Sequence, residues 1–529
     1  MALLHPVRPL SRVPVLDRID LYIDHWAGSR PDAEFLVDGG PQVTGRRLTW
    51  TDTRVEIDRV AAALVAAGST RGDRVAFLGD SRLDFFIHFL AATSIGCIWQ
   101  GLNPKYTWDE LAFVVADAAP RLIFDGTMAG DRTAERLAEQ IDEVERTIVF
   151  GQADWEAFLT AGRDVDTGEL GARQAAVESS DPALIVYTSG STGRPKGALL
   201  THRGVAYCGV TGGKARGLGG KKVICNLPVN HVGAVSDICA RAMISGGTVV
   251  FQERFDPELM LATIETEEVQ VWAGVPTIFQ ICLAHPTFPN VDLSCVEHVA
   301  WGGAAMSLPV LEALLAATGA SRASVGYGMT ESTGAVTSTT PESTLEQLTT
   351  TVGVPIPGHD YRIVTEDGTR CKVGESGEIQ IRGDWTMAGY WNRPDADYAT
   401  DDGWFRTGDL AVLRDDGYIQ LVGRLSEMFK SGGYNTYPRE IEQCLEEHPA
   451  VRMAAVVAVP DQVFDQVGHA FVVTDPGATS DDLLAHCRER LANYKVPKAV
   501  HLREQLPMLA VGKIDKKTLG SEASRLVGG

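Results

Sequence analysis

The 529-residue sequence predicts an α/β chain that ends in a smaller α+β unit. Three observations carry that expectation. Short apolar runs alternate with helix-length amphipathic stretches from Thr49 to Phe124, and again from Lys222 to Ala300. That alternation is the pattern of a parallel sheet whose strands are joined by helices. From Gly353 to Arg424 the segments alternate polar with apolar and are punctuated by Asp-Gly turns, which reads as antiparallel sheet. From Ser426 the pattern changes again, and a boundary near Leu425 divides residues 1–425 from residues 426–529.

Taken in order, residues 1–50 are mixed and are expected to drape over the surface. Thr51 to Ala67 is an amphipathic helix closed by Gly68; Arg74 to Leu78 is a buried strand; Leu83 to Ile95 is a helix, and Cys97-Ile98 turns into the next strand. Arg121 to Phe124 is a further strand. Residues 153–180 are polar and acidic and read as a surface connection. Lys222 to Leu227, Gly247 to Phe251, Val269 to Trp272 and Val296 to Ala300 are short apolar runs ended by Pro, Gly or a charge. Antiparallel strands are expected at 361–364, 378–381 and 418–422. The last unit holds a helix over 438–447, strands over 453–459 and 470–473, a helix over 481–493, and a tail rich in Lys.

The totals bound the function. A chain this long exceeds a single core. Its net charge of −21 disfavours nucleic acid, whose phosphates need a basic face. No apolar run reaches the ~20 residues that span a bilayer. Nothing after Met1 reads as a signal peptide, and nine scattered cysteines form no C-x-x-C pair. A reducing cytoplasm is the expected location.

One stretch points to chemistry. Behind the buried run Ala183–Val186, Tyr187 to Gly197 supplies five hydroxyls, three glycines and one lysine. Glycines let backbone approach a ligand closely, and successive N–H groups in such a turn form an anion nest. The loop reads as a polyphosphate holder. It is not a Walker A loop, because Gly190, Gly193 and Lys196 stand three apart and Pro195 precedes the lysine. Other conspicuous pieces fall beyond strand ends, where open α/β sheets bind ligands: His231, Trp301 to Gly303, and Gly326 to Glu331.

The ordered set Thr188–Gly197, Tyr327–Glu331, Trp404–Asp409, Gly423-Arg424, Gly432–Asn435 and Gly512–Ile514 resembles the adenylate-forming superfamily over roughly Thr49 to Leu519. That family includes acyl-CoA synthetases, peptide-synthetase adenylation domains and beetle luciferases. The resemblance implies two α/β layers and a β-barrel-like piece in the large domain, and a mobile C-terminal domain. It implies that Thr188, Ser189, Gly190, Ser191, Thr192, Gly193 and Lys196 embrace the β- and γ-phosphates of ATP. Glu331, with Thr188, would hold Mg²⁺, and Thr330 would meet the α-phosphate. Tyr327, with Gly328 and Met329, would face adenine, with Gly302, Gly303 and Ala304 opposite. Asp409 would accept from the ribose hydroxyls, and Arg424 would reach ribose or phosphate. Lys513 would bridge carboxylate and α-phosphate during adenylation. Lys430, Gly432 and Gly433 would line a coenzyme A tunnel after domain rotation.

The sequence departs from the family in two places. Ser426, followed by Glu427, stands at the hinge position, and Leu506 to Val511 lacks the usual Arg and Thr-Pro. His231, Val235, Ser236, Trp301, Gly326, Met329 and Gly334 are expected to surround the acyl group. They are neutral apart from a protonated His231, which implies a hydrophobic acid: aromatic, alicyclic or medium-chain fatty. Asp237 lies close by and weakens the exclusion of an amino-acid substrate. The leading expectation is a free-standing acyl-CoA ligase using ATP, Mg²⁺ and coenzyme A. The alternatives are an enzyme that loads a carrier protein and a non-catalytic ATP-binding regulator. A homodimer is allowed by the sequence, not demanded by it.

Overall fold

The computed structural model describes residues 15–39, 45–127, 133–188, 194–217, 219–509 and 514–528. Two seven-stranded sheets make up the bulk of the chain. The first runs, from edge to edge, Gly389–Tyr390, Lys196–Thr201, Pro182–Thr188, Ile98–Leu102, Arg74–Leu78, Leu122–Asp125 and Arg146–Val149. Its last five strands are parallel, and the first two are antiparallel additions. The second runs Arg322–Gly326, His298–Gly302, Val271–Gly274, Lys222–Cys225, Thr248–Phe251, Glu34–Asp38 and Arg47–Thr49, parallel except at the last pair. These strands are continuous apolar runs because helices cover both faces.

Asp360–Val364, Ser376–Arg382, Phe405–Leu413 and Ile419–Arg424 form the expected antiparallel sheet. The last unit is a five-stranded sheet centred on the hairpin Val451–Asp461 and Asp465–Thr474. Its two faces are buried by different helices: Pro438–Glu446 and Ser480–Arg490 on one, Lys516–Gly528 on the other.

Three expectations are corrected. Residues 1–50 do not merely drape: Glu34–Asp38 pairs in parallel with Thr248–Phe251, with Leu36 opposite Val249. Phe35 stacks on Trp50 at 3.8 Å between ring centroids, and both are fully buried. The short run Phe35-Leu36-Val37 is the strand, and its partner lies more than 200 residues away. Residues 153–180 contain the helices Ala153–Ala161 and Thr167–Ala175, which bury Phe158, Leu159 and Leu170. Asp166 caps the second helix by accepting from the Gly168 and Glu169 amides. The Lys-rich tail is the helix Lys516–Gly528, whose Leu519 and Ala523 form an i, i+4 stripe against the sheet.

Candidate active site

The described ends of the phosphate-loop stretch are two antiparallel strands. Pro182–Thr188 and Lys196–Thr201 pair so that Thr188 faces Lys196 across the loop base. Ser189, Gly190, Ser191, Thr192 and Gly193 lie outside the described residues, as does Lys513. The base of the loop meets the segment after the strand Arg322–Gly326. There Thr330–Ser332 forms one 3₁₀ turn with Thr330 buried. The Thr188 hydroxyl donates to Glu331 Oε1 at 3.3 Å.

A residue that sequence reasoning passed over completes this group. Tyr390 donates to the same Glu331 oxygen at 2.8 Å. The short strand Gly389–Tyr390 pairs with Lys196–Thr201, setting Tyr390 opposite Ala198. The Lys196 ammonium lies 5.4 Å from the Tyr390 ring centroid, a cation–π distance. Burial, and then the neighbouring Glu331 carboxylate, push the Tyr390 phenol well above its ordinary range. It therefore stays a donor. The run Met387 to Trp391, apolar and aromatic between polar stretches, was the only sequence signal for it.

A second group forms where the antiparallel sheet meets the same segment. Asp409 and Arg424 are direct partners on neighbouring strands, and Arg424 Nε donates to Asp409 Oδ1 at 2.7 Å. The Tyr327 hydroxyl donates to Asp409 Oδ2 at 2.8 Å. Asp409 and Tyr327 are both buried. Burial, and then the Asp409 charge, hold the Tyr327 phenol far above its usual value. Gly302 and Gly326 face one another at the carboxyl ends of adjacent parallel strands. Gly303 and Ala304 follow in the open, and Gly328 is exposed beside half-buried Met329.

The expected acyl-site residues divide. Val235 and Ser236 sit on one turn-rich stretch of π-helix, Gly233–Ala240, an uncommon geometry that frequently marks functional sites. The Ser236 hydroxyl donates to the Thr333 carbonyl at 2.6 Å, which ties this helix to Met329 and Gly334. His231 precedes the helix, and its Nδ1 accepts from the Gly233 amide at 3.0 Å. Trp301 does not join them. It is buried with Trp272, Val299, Met306 and Val325 in the core of the second sheet.

Gly432 and Gly433 are the two central residues of the hairpin between Phe429–Ser431 and Tyr434–Thr436. Both have positive φ, 58° and 85°, so this turn requires residues that tolerate the left-handed region. Lys430 lies exposed beside them, opposite Asn435. Three residues past Arg424, Glu427 pairs with Lys516 at 2.7 Å, and Lys516 also pairs with Glu442 at 2.8 Å. Met508 and Ile514 form an isolated antiparallel bridge.

Among the described residues no cluster of three His, Cys, Asp or Glu side chains could cage a metal. A single carboxylate such as Glu331 nevertheless suits Mg²⁺, which binds through one or two carboxylates plus substrate phosphates. No helix among the described residues is long and apolar enough to cross a membrane.

The family model described as AMP-binding enzyme matches residues 23–391, and the one described as AMP-binding enzyme C-terminal domain matches residues 440–513. A feruloyl-CoA synthase of an Amycolatopsis species is 36% identical over 484 residues, covering 89% of this chain and 93% of its own. A long-chain-fatty-acid–CoA ligase of Mycobacterium tuberculosis is 31% identical over 491 residues, covering 92% and 95%. Among solved structures, ATP-bound MatB from Rhodopseudomonas palustris superposes with a TM-score of 0.81 at 26% identity, covering 96% of this chain and 99% of that one. An anthranilate CoA ligase in complex with anthranoyl-AMP shares the fold, with a TM-score of 0.85 at 22% identity.

Proposed function

The chain belongs to the AMP-binding, adenylate-forming enzyme family, and from that premise we propose how its own residues divide the work and which acid they take. It is an AMP-forming acid–thiol ligase that uses ATP and coenzyme A. In the first half-reaction a carboxylate oxygen attacks the α-phosphorus of ATP, the bond to the β-phosphate oxygen breaks, and pyrophosphate leaves. In the second the thiol attacks the acyl carbonyl and AMP leaves. The protein does little covalent work, so positioning and charge stabilisation carry the rate.

The observation that carries the assignment is the convergence of Thr188, Lys196, Glu331 and Tyr390 beside the loop base, next to the Tyr327–Asp409–Arg424 group. The first group suits the phosphate end of the nucleotide and the second the nucleoside end. Mg²⁺, held by Glu331 with the phosphates, would screen the charge of the leaving pyrophosphate. Tyr390 orients the Glu331 carboxylate. Thr330 and Lys196 meet phosphate oxygens, and Asp409 keeps acceptor capacity toward ribose while Tyr327 and Arg424 fix its orientation. Lys513 supplies the cation that brings the two anions together.

Residues 1–425 act as the adenylating domain and 426–529 as the mobile one, with Leu425–Glu427 as the hinge and Gly432-Gly433 toward the pantetheine arm. The relatives act on feruloyl and long-chain fatty acyl groups, which supports an acid with an apolar body here. Seven of nine free cysteines are buried, which suits a reducing cytoplasm. The test is ATP–pyrophosphate exchange with a panel of aromatic, alicyclic and fatty acids, followed by AMP release with coenzyme A or a carrier protein. Exchange without coenzyme A and AMP release only with it are expected. Absence of exchange with every acid would overturn the reading.

A further inference from the structure

Arg216 ends the helix His202–Arg216 and is only 9% exposed. Among the described residues its guanidinium has no ion-pair partner, and its buried Nε has no hydrogen-bond partner. A buried charge left in this state is costly, and proteins retain one where something pairs with it. Burial, and then the nearby Arg241, pull Arg216 down to about 9, so it remains charged at neutral pH.

The guanidinium is placed at the expected acyl site. It lies against the bare Cα of Gly326, where any Cβ would collide with Nη2 and stand 3.3 Å from Cζ. Gly326 ends a parallel strand, the position from which open sheets contact ligands. The neighbouring charges do not neutralise it. Asp237 faces Gly334 across the same segment, 2.9 Å from where a Cβ would lie, but it is already ion-paired with Arg241. Arg241 in turn fills the space left by Gly212, so this pair is a packed unit. Arg216, Arg241 and Asp237 together leave one positive charge in excess, inside a chain whose net charge is −21.

We propose that Arg216 determines acid specificity, and that the acid activated here carries an oxygen acceptor at the end remote from its reacting carboxylate. That acceptor is a second carboxylate or a carbonyl oxygen on an otherwise apolar body. A guanidinium suits both, and it binds a carboxylate through two parallel N–H donors. The π-helix, with Val235 buried, supplies the apolar wall, and Arg216 meets the far end. The inference rests on the reading of this region as the acyl site.

The experiment uses the full chain and matched straight-chain sets of monocarboxylic acids, α,ω-dicarboxylic acids and terminal keto acids in pyrophosphate exchange. Wild type is expected to favour one of the acceptor-ended sets over the monocarboxylates of equal length by about ten- to a hundredfold in kcat/KM, the range of one hydrogen bond to a charged group. Which set wins identifies the acceptor. Arg216→Met should collapse that ratio toward one, and Arg216→Lys should restore part of it. A wild-type preference for plain monocarboxylates overturns the proposal. So does an acceptor preference that survives Arg216→Met. If Arg216→Met does not fold, the wild-type ratio and Arg216→Lys still decide. No exchange with these acids or with the aromatic, alicyclic and fatty panel above would instead sink the ligase reading, whereas exchange with that panel alone would overturn the Arg216 proposal, which keeps the two failures apart.

Discussion

Tyr390 converts a flexible acid into an oriented one. Its hydroxyl and that of Thr188 meet on one oxygen of Glu331. A charge-assisted bond of this kind is worth about 1.5–3 kcal/mol, or roughly ten- to a hundredfold. Tyr390→Phe should lower pyrophosphate-exchange kcat/KM by about that factor and raise the Mg²⁺ concentration needed for half-maximal rate. An unchanged Mg²⁺ titration would remove Tyr390 from the metal-facing role. His88 offers a prediction about stability. It is buried among Phe77, Phe124, Phe150 and Trp155, and among the described residues neither ring nitrogen has a partner. Burial pulls it down to about 3. The unfolded chain takes up that proton near pH 6.5 and the folded one only near 3. Its contribution to stability is therefore complete above about pH 6.5 and is lost as pH falls between those values. Buried His202, His298 and His359 shift in the same direction. His88→Phe should make the decline of melting temperature between pH 7 and pH 4 shallower. At pH 7 it should cost nothing or add about 1 kcal/mol, since it removes unsatisfied polar atoms.

At the scale of elements, the C-terminal helix Lys516–Gly528 is held by charge as well as by Leu519 and Ala523. Lys516 stands between Glu427, on the hinge turn, and Glu442, which is buried and also accepts from the Val456 amide. The two ends of this bridge are unequal. Glu427 is 38% exposed, and an exposed pair is worth about 0–1 kcal/mol. Removing Lys516 strips a buried carboxylate of one of its two cations, with Arg439 left at 3.5 Å, and costs up to about 3 kcal/mol. Lys516→Met should thus destabilise residues 426–529 far more than Glu427→Gln, read as earlier proteolysis within that unit in a urea series. Equal effects would mean that the buried half is not what anchors the helix. The same scale shows what the sequence could reveal. The residues Thr188, Lys196, Asp409, Arg424, Gly432 and Gly433 were legible as conspicuous local types, whereas the strand pairings that set Thr188 opposite Lys196 and Asp409 opposite Arg424 were not. Tyr390 was not legible, because its partner Glu331 lies 59 residues away; nor was Arg216, whose position against Gly326 depends on how a helix packs on a distant strand. The strand Glu34–Asp38 was passed over for the same reason. The helix Lys516–Gly528 was hidden because its lysines outweigh a two-residue apolar stripe.

For the whole molecule, the decisive fact is where the cations come from. A chain of net charge −21 must gather a tetra-anionic nucleotide and a carboxylate. On the proposed reading Lys196 comes from the first sheet, Arg424 from the antiparallel sheet, and Lys513 from the last unit. Coulomb attraction between a lysine and a phosphate at contact is strong only while the pair excludes water. If residues 426–529 swing on Leu425–Glu427 between half-reactions, Lys513 serves adenylation and is absent from thioester formation. Lys513→Ala should then reduce pyrophosphate exchange by about a hundred- to a thousandfold, the range seen when a preorganised electrostatic donor is removed. The same variant, given a preformed acyl-adenylate and coenzyme A, should release AMP at close to the wild-type rate. Parallel loss of both half-reactions would mean that the lysine supports one fixed site, and that the last unit does not exchange positions during turnover. A fixed last unit would also require the turn at Gly432-Gly433 to serve only its hairpin, and replacing Gly433 with alanine would then leave the thioester step unchanged.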